Sequence, residues 1–387
     1  MVKTLELLPI GTGPAALTAL DTLAQVLDGS VAVVPAPADD PVETHRLTSA
    51  LGVGEPIDNA VSLVVSTSGS TGIPKGAMHT PSSLAASAAA TEARLGGPGG
   101  WLLALPTHHI AGLQVLLRSI RSGHPPVAID VAHGFDPGDL IAGLDALDAP
   151  RRYTSLVPTQ LVKVLDHPGA VGALREIDAV LVGGAATPVP LLHRAIEAGI
   201  PVVRTYGMSE TGGGCVYDGV PLDGVEVSIV DPTLDGVGRV IIRGPVVAQG
   251  YRGLDHPAFA VTGEFGTDDL GRLDNGVLSV VGRADEAISS GGLTVVPQVV
   301  EAAILTDPTV AECAVIGLPD ERLGERVVAV VVAAVGAHIS PDRLRENVTE
   351  RLGRFAAPRE VIEVDAMPLR GPGKIDRRAL RARYASG

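Results

Sequence analysis

Cysteine is nearly absent from this chain of 387 residues, and the two that occur, Cys215 and Cys313, stand far apart in unrelated contexts. That excludes a disulfide framework and a thiolate metal site, and it fits a reducing compartment. Long apolar runs are absent too. No segment reaches the roughly 18 apolar residues of a membrane span, and residues 1–8, with one lysine, are too short an apolar stretch for a signal peptide. The expectation is a soluble, cytoplasmic protein with no membrane span. Positive charge is scarce: 30 basic residues against 44 acidic ones leave a formal net charge of −14, which argues against a nucleic-acid partner. Lysine is the scarcest charge. Only Lys3, Lys75, Lys163 and Lys374 occur, and Lys75 and Lys374 stand in glycine-rich loops.

What is present is core-forming material, with 45% hydrophobic and 19% charged residues in a length that accommodates two domains. From Leu5 to about Val280, apolar β-branched runs (62–65, 101–105, 179–182, 201–204) alternate with helical patterns (82–95, 113–120, 190–198). Helices between strands are crossover connections, so the pattern predicts an α/β fold with largely parallel sheets. The Ala- and Ser-rich residues 82–90 read as a good helix former rather than a linker. After Gly219 the strands shorten (226–230, 238–243, 276–281) between Asp, Gly and Pro turns, which predicts a small antiparallel sub-domain. From about Gly282 the pattern is that of a compact α+β tail, with helices at 297–305 and 341–352 and strands at 314–317 and 327–333. There is no internal repeat.

The sharpest local feature is Ser66-Thr67-Ser68-Gly69-Ser70-Thr71-Gly72-Ile73-Pro74-Lys75-Gly76, directly behind the predicted strand 62–65. Glycines let backbone N–H groups turn toward oxygens, hydroxyls donate further hydrogen bonds, and the lysine adds a mobile positive charge, so the run suits phosphate. It is not a Walker-type loop, because Pro74 precedes the lysine and Gly76 follows it where that motif has Gly and then Ser or Thr. Composition alone also allows a plain Gly/Ser turn.

This loop resembles, nearly residue for residue, the signature of the adenylate-forming superfamily of acyl-CoA synthetases, luciferases and peptide-synthetase adenylation domains. Further segments follow in the family's order as far as Arg377. The resemblance implies that Ser66, Thr67, Ser68, Gly69, Ser70, Thr71, Gly72 and Lys75 bind ATP, with Thr71 also at the metal. Tyr206-Gly207-Met208-Ser209-Glu210-Thr211 is similar to the second nucleotide motif, which puts Tyr206 on adenine, Gly207 and Ser209 at the nucleotide, and Glu210 on Mg2+. A carboxylate beside a triphosphate makes physical sense, since Mg2+ prefers oxygen ligands shared with phosphates. Val182-Gly183-Gly184-Ala185-Ala186 is similar to the adenine-contacting loop, with Gly184 and Ala185 at ATP and Gly183 facing the acid; on its own it is a strand-to-helix turn.

Thr267-Asp268-Asp269-Leu270-Gly271 is similar to the family's Thr-Gly-Asp element and assigns the ribose hydroxyls to Asp269, although Asp268 stands where the family has glycine. Thr262-Gly263-Glu264 offers a competing register, and the spacing to Gly271 and Gly276 favours Asp269. Gly282-Arg283-Ala284-Asp285, followed by Ile288 and Gly291-Gly292, resembles the inter-domain hinge: Arg283 near ribose, Asp285 as the pivot, Gly291 and Gly292 facing coenzyme A. The run Pro368-Leu369-Arg370-Gly371-Pro372-Gly373-Lys374-Ile375-Asp376-Arg377 resembles the C-terminal motif whose lysine catalyses adenylation, a role that falls on Lys374. Charge develops on the phosphoryl and leaving oxygens during that attack, and one preorganised cation there is worth about 10² to 10³ in rate. Without the resemblance it is a surface lysine in a Gly/Pro loop. The implied architecture is a large N-terminal α/β domain, 1–283, abbreviated at its start, that binds ATP and the acid, and a small mobile C-terminal α+β domain, 284–387.

Leu105-Pro106-Thr107-His108-His109-Ile110-Ala111-Gly112 resembles the family's acyl-pocket motif, which makes His109 a catalytic and substrate candidate; a lone histidine is otherwise a satisfied core residue. The run His108-His109-Ile110-Ala111-Gly112-Leu113-Gln114, together with Ser155-Leu156-Val157-Pro158-Thr159-Gln160-Leu161 and Gly183-Gly184-Ala185-Ala186-Thr187-Pro188, is similar to the 2-succinylbenzoate-CoA ligases of menaquinone biosynthesis. Such an aromatic dicarboxylate needs apolar walls and donors for its spectator carboxylate and ketone. His109, Gln160 and Arg118 have suitable chemistry, with Gly183 and Thr211 alongside. For Arg118 the plain alternative is a helix surface. The resemblance thus implies ligation of 2-succinylbenzoate to coenzyme A through an acyl-adenylate, with ATP, Mg2+ and coenzyme A required and a homodimer as the common assembly. Other readings are a ligase for another aryl or aliphatic acid and a non-catalytic nucleotide-binding relative. Gly11-Thr12-Gly13-Pro14-Ala15-Ala16 imitates a dinucleotide fingerprint, but Pro14 in a first turn makes a helix start account for the same letters.

Overall fold

A computed structural model describes residues 2–67, 74–234, 236–370 and 374–385. The first sheet holds strands β1 (Lys3–Ile10), β2 (Ala32–Pro37), β3 (Pro56–Ile57), β4 (Leu63–Thr67) and β5 (Lys75–His79) in the order β3-β1-β2-β4-β5. Strands β1, β2 and β4 run parallel, and β5 folds back antiparallel on β4 so that Thr67 faces Lys75. The second sheet holds β6 (Gly100–Leu103), β7 (Val127–Ala128), β8 (Arg152–Leu156), β9 (Ala179–Val182), β10 (Val202–Met208), β11 (Gly213–Tyr217) and β12 (Val220–Pro221), ordered β12-β11-β10-β9-β8-β6-β7. Its strands from β7 to β10 are parallel. Strands β6 and β9 are buried at every position, the pattern expected where helices cover both faces.

The crossover helices follow from ordinary local chemistry. Pro81–Leu95 starts where Thr80 and Ser83 exchange capping hydrogen bonds, with proline in the first turn, and stops at Gly96 in the left-handed region. Ile110–Ser122 starts at His109 and stops at Gly123 in the same way. The Gly11-to-Ala16 stretch enters a 3-10 turn, Gly13–Ala19, with proline in its first turn, before the helix Leu20–Asp28, so the helix-start reading accounts for those residues.

Strands β13 (Glu226–Val230), β14 (Gly238–Arg243), β15 (Glu264–Asp274) and β16 (Val277–Arg283) form a four-stranded sheet in simple sequential order. The tail carries β17 (Ile288–Ser290), β18 (Leu293–Val295), β19 (Val310–Asp320), β20 (Gly324–Ala333) and β21 (Glu360–Glu363), ordered β18-β17-β20-β19 with β21 parallel to β20. Alternation along β19 and β20 builds two cores: Val315, Val327 and Ala329 pack with Ile304 and Leu344, and Ala314, Ile316, Val328 and Val330 pack with Leu380. A two-stranded ribbon, β22 (Leu369–Arg370) with β23 (Lys374–Ile375), pairs Arg370 with Lys374.

The chain divides into two compact units: Met1–Ser228 with Ile241–Gly266 and Asn275–Leu278, and Ile229–Val240 with Thr267–Asp274 and Ser279–Gly387. Among the described residues no helix is long and apolar enough to cross a membrane.

Candidate functional site

In the first unit, β4 and β10 end beside one another. Ligands in α/β proteins bind outside the carboxyl ends of parallel strands, and both nucleotide-type motifs of the sequence start there. Strand β10 runs into the turn Ser209–Thr211, and the Ser209 hydroxyl donates to the Ser66 carbonyl, 3.3 Å. His79, fully buried on β5, donates from Nε2 to the Ser209 carbonyl at 2.6 Å, with its Nδ1 3.3 Å from the Ser83 hydroxyl. Burial lowers the His79 pKa to about 4 although the Ser209 bond opposes this, so the ring is neutral. Gly207 sits at the bulge between β10 and β11, where a Cβ would come within 2.0 Å of the Gly213 carbonyl oxygen; only glycine lets the strands close here.

Glu210 is buried, at 7% exposure. Its backbone carbonyl accepts from the Ala248 amide at 2.8 Å, and its Oε1 accepts from the Tyr251 hydroxyl at 2.6 Å. The Lys75 ammonium lies 5.1 Å from the centre of the Tyr251 ring and 3.1 Å from His256 Nε2. Tyr251 meets His256 and Phe259 edge-on, with ring centres 5.2 and 5.0 Å apart. One tyrosine therefore links a buried carboxylate to a lysine. Thr211 is fully buried, and its hydroxyl accepts from Met208 N and donates to the Gly213 carbonyl, closing the turn. Tyr206 lies on β10 opposite Val216, and Gly183, Gly184 and Ala185 follow the carboxyl end of β9, the last two exposed. Ser68, Gly69, Ser70, Thr71 and Gly72 lie outside the described residues.

His109 occupies the N-cap position of Ile110–Ser122, its ring centre 4.1 Å from that of His108. Along the same helix, Gln114 donates to the Gly212 carbonyl at 2.6 Å, and its own amide oxygen is buried without a partner among the described residues. Arg118, one turn further on, is 3% exposed, so the helix-surface alternative does not hold. Its guanidinium lies over Trp101, 5.1 Å from the ring centre, and reaches Tyr217 Oη at 3.5 Å, while Nε has no partner among the described residues. Gln160 is committed to the backbone at both ends, accepting from Val157 N at 2.9 Å and donating to the Ala104 carbonyl at 2.8 Å. Those bonds hold the start of its helix to the end of β6.

In the second unit, Arg283 brings three acidic residues together. It donates to both Asp285 oxygens at 2.8 and 2.9 Å and to Asp269 Oδ1 at 3.4 Å, and lies 3.7 Å from Asp268. Partial burial works against the cation, but Asp285, Asp269 and Glu286 hold its pKa above the ordinary arginine value. Asp269 is kept in place by its amide, which donates to the Thr267 hydroxyl at 3.0 Å. Gly291 and Gly292, both at positive φ (60° and 79°), make the turn from β17 to β18, where side chains would be strained. Lys374 opens β23.

Tyr251, His256 and His79 escaped the sequence reading, and Gln114 stood in a motif there without a role of its own. Three of the chain's ten aromatic residues (one Trp, five Tyr, four Phe) fall between 251 and 265, and that clustering in an aromatic-poor chain was the available signal.

The model of the family described as AMP-binding enzyme matches residues 17–252, and that of the AMP-binding enzyme C-terminal domain matches 299–374. A probable 2-succinylbenzoate–CoA ligase of Mycobacterium tuberculosis is 53% identical over 98% of both chains. A feruloyl-CoA synthase of Amycolatopsis is 32% identical over 94% of this chain and 77% of its own. The solved o-succinylbenzoate CoA synthetase MenE of Bacillus subtilis, in complex with its acyl-adenylate intermediate, superposes with a TM-score of 0.76 at 26% identity, covering 98% of this chain and 88% of the other.

Proposed function

The chain belongs to the AMP-binding enzyme family and is an AMP-forming acid–thiol ligase, and from that premise we propose that it joins 2-succinylbenzoate to coenzyme A, as a step toward menaquinone. The observation that carries the choice of acid is Arg118. A guanidinium at 3% exposure, with aromatic and hydroxyl neighbours but no carboxylate within ion-pair distance among the described residues, is an uncompensated buried charge. Such a charge is costly unless something anionic completes it. The second carboxylate of a dicarboxylic substrate does so, with Trp101 beside it for an aromatic ring. Gln160 is not part of this reading, because both ends of its amide are already used.

ATP binds at the ends of β4 and β10, with Lys75 and the hydroxyl loop on its phosphates, Gly184, Ala185 and Tyr206 around adenine, and Asp269 and Arg283 on ribose. Among the described residues no three or more His, Cys, Asp or Glu side chains gather to hold a metal. One buried carboxylate, Glu210, is what a cation needs when it arrives on a nucleotide, since Mg2+ shares phosphate oxygens and keeps its waters rather than occupying an all-protein cage. Bound there, Mg2+ would offset phosphate charge as pyrophosphate leaves. The substrate carboxylate attacks the α-phosphorus, the bond to pyrophosphate breaks, and Lys374 stabilises the charge that develops. The thiol of coenzyme A, led in past Gly291 and Gly292, then attacks the acyl carbonyl and AMP leaves with the electron pair. Division into domains 1–283 and 284–387 with rotation at Asp285 would separate the two steps.

Pyrophosphate release and thioester formation, measured with ATP, Mg2+ and coenzyme A against 2-succinylbenzoate, ferulate, benzoate and fatty acids, test this. Selective turnover of 2-succinylbenzoate is expected. Preference for ferulate or a monocarboxylate would keep the ligase and remove the dicarboxylate assignment.

A further inference from the structure

We infer that Tyr251 is a positioning residue, whose hydroxyl fixes the Glu210 carboxylate and whose ring seats Lys75, so that the carboxylate and the ammonium of the nucleotide site are set by one side chain. The inference rests on the reading of Glu210 as the magnesium carboxylate.

The geometry starts in the backbone. Residues 249–252 add to the free edge of β5: Gln249 N donates to the Met78 carbonyl, Met78 N to the Gly250 carbonyl, and Arg252 N to the Gly76 carbonyl, all at 2.8 or 2.9 Å. This register puts Tyr251 opposite Ala77 in an antiparallel bridge. Side chains of an opposed pair lie on one face, and period two places Lys75, Ala77 and His79 on that same face. Ala77 is small and fully buried, which leaves room for the Tyr251 ring between its neighbours. His79 on that face holds the Ser209 carbonyl, and Tyr251 reaches the next residue, Glu210. Residues 248–252 grip Glu210 twice, by Ala248 N on its carbonyl and by Tyr251 Oη on its carboxylate.

A carboxylate on a three-torsion stem samples several rotamers, and a fixed hydrogen bond at 2.6 Å selects one. Partners of this kind change metal affinity by about 10- to 100-fold when removed. Stacking beneath Lys75 adds a cation–π contact that favours one ammonium position.

The test is calorimetric titration of the full chain with ATP, in EDTA and in excess Mg2+, for the unaltered protein, Tyr251→Phe and Glu210→Gln, with thermal midpoints alongside. Phenylalanine keeps the ring contacts with Lys75, His256 and Phe259 and deletes only the hydroxyl. The expected result is that Tyr251→Phe loses about 10-fold or more of the Mg2+-dependent tightening, with binding in EDTA unchanged, and that Glu210→Gln loses at least as much. Full tightening in Tyr251→Phe with loss in Glu210→Gln would overturn the inference and leave Glu210 as the metal carboxylate. Equal weakening of Tyr251→Phe with and without Mg2+ would also overturn it, marking the hydroxyl as fold support. Full tightening in Glu210→Gln would remove both the inference and the reading beneath it.

Discussion

Two arginines withdrawn from solvent, one half-buried and one buried, one in each unit, show what a partner does to a charge. Arg377, in the tail unit, donates to both Glu301 oxygens at 2.6 and 2.7 Å and lies 3.5 Å from Glu286. Burial disfavours its charge, and the two carboxylates more than offset that, so its pKa stands above the ordinary value. Glu301 also accepts from Val315 N, which ties the helix Pro297–Ile304 to β19. Arg118, in the large unit, is more deeply placed and has a tryptophan face and a distant tyrosine hydroxyl instead. A neutralised buried cation belongs to the fold; one left without an anion is a cost that a ligand can remove.

The sharpest way to break this contrast is Arg377→Met. It strands the Glu301 carboxylate, and unfolding by denaturant should show a loss of about 3–5 kcal/mol, part of it recovered when Glu301 is also made Leu. An unchanged stability would dissolve the distinction. His79 represents a third solution, a buried group that simply stays neutral. Its folded pKa of about 4 lies below the ordinary 6.5, so the unfolded chain binds more protons between those values. Stability is then complete above pH 6.5 and falls as pH drops toward 4, by up to roughly 3 kcal/mol. In His79→Gln that slope should flatten in pH-dependent melting curves.

Arg118→Met should act on catalysis rather than folding. We expect kcat/KM for 2-succinylbenzoate to drop about 100-fold, the scale of a lost charge-assisted pair, with stability within about 1 kcal/mol of the parent. A stability loss as large as that of Arg377→Met would make Arg118 a fold residue after all. The smallest effect belongs to the exposed pair of Arg194 and Asp166, 3.0 Å apart. Arg194→Ala should cost less than about 1 kcal/mol, and raised salt should erase the difference.

Much of the fold was legible in the sequence because its signals are local. Strands at 179–182, 226–230 and 238–243 and the helix at 341–352 have the bounds the sequence predicts. The ends of Ile110–Ser122 extend past the predicted 113–120, since the caps at His109 and Gly123 set them, not the apolar stripe. Site residues fared unevenly for a related reason. Gln160 has the chemistry of a substrate donor, and a sequence cannot tell that Ala104, distant in the chain, will take its amide. For Arg118, the choice between a substrate donor and a helix surface turns on its burial beside Trp101 and Tyr217, which periodicity does not show.

By itself, then, the sequence determined the kinds and order of elements, the family, and the loops that carry hydroxyls, glycines and scarce lysines, because periodicity, capping and turn chemistry act over a few residues. Tertiary structure alone decided which charges are neutralised and which side chain aims Glu210. Those outcomes depend on strand register and burial between residues as far apart as Lys75 and His256, where pairing energies of the whole fold, not local preference, set who meets whom.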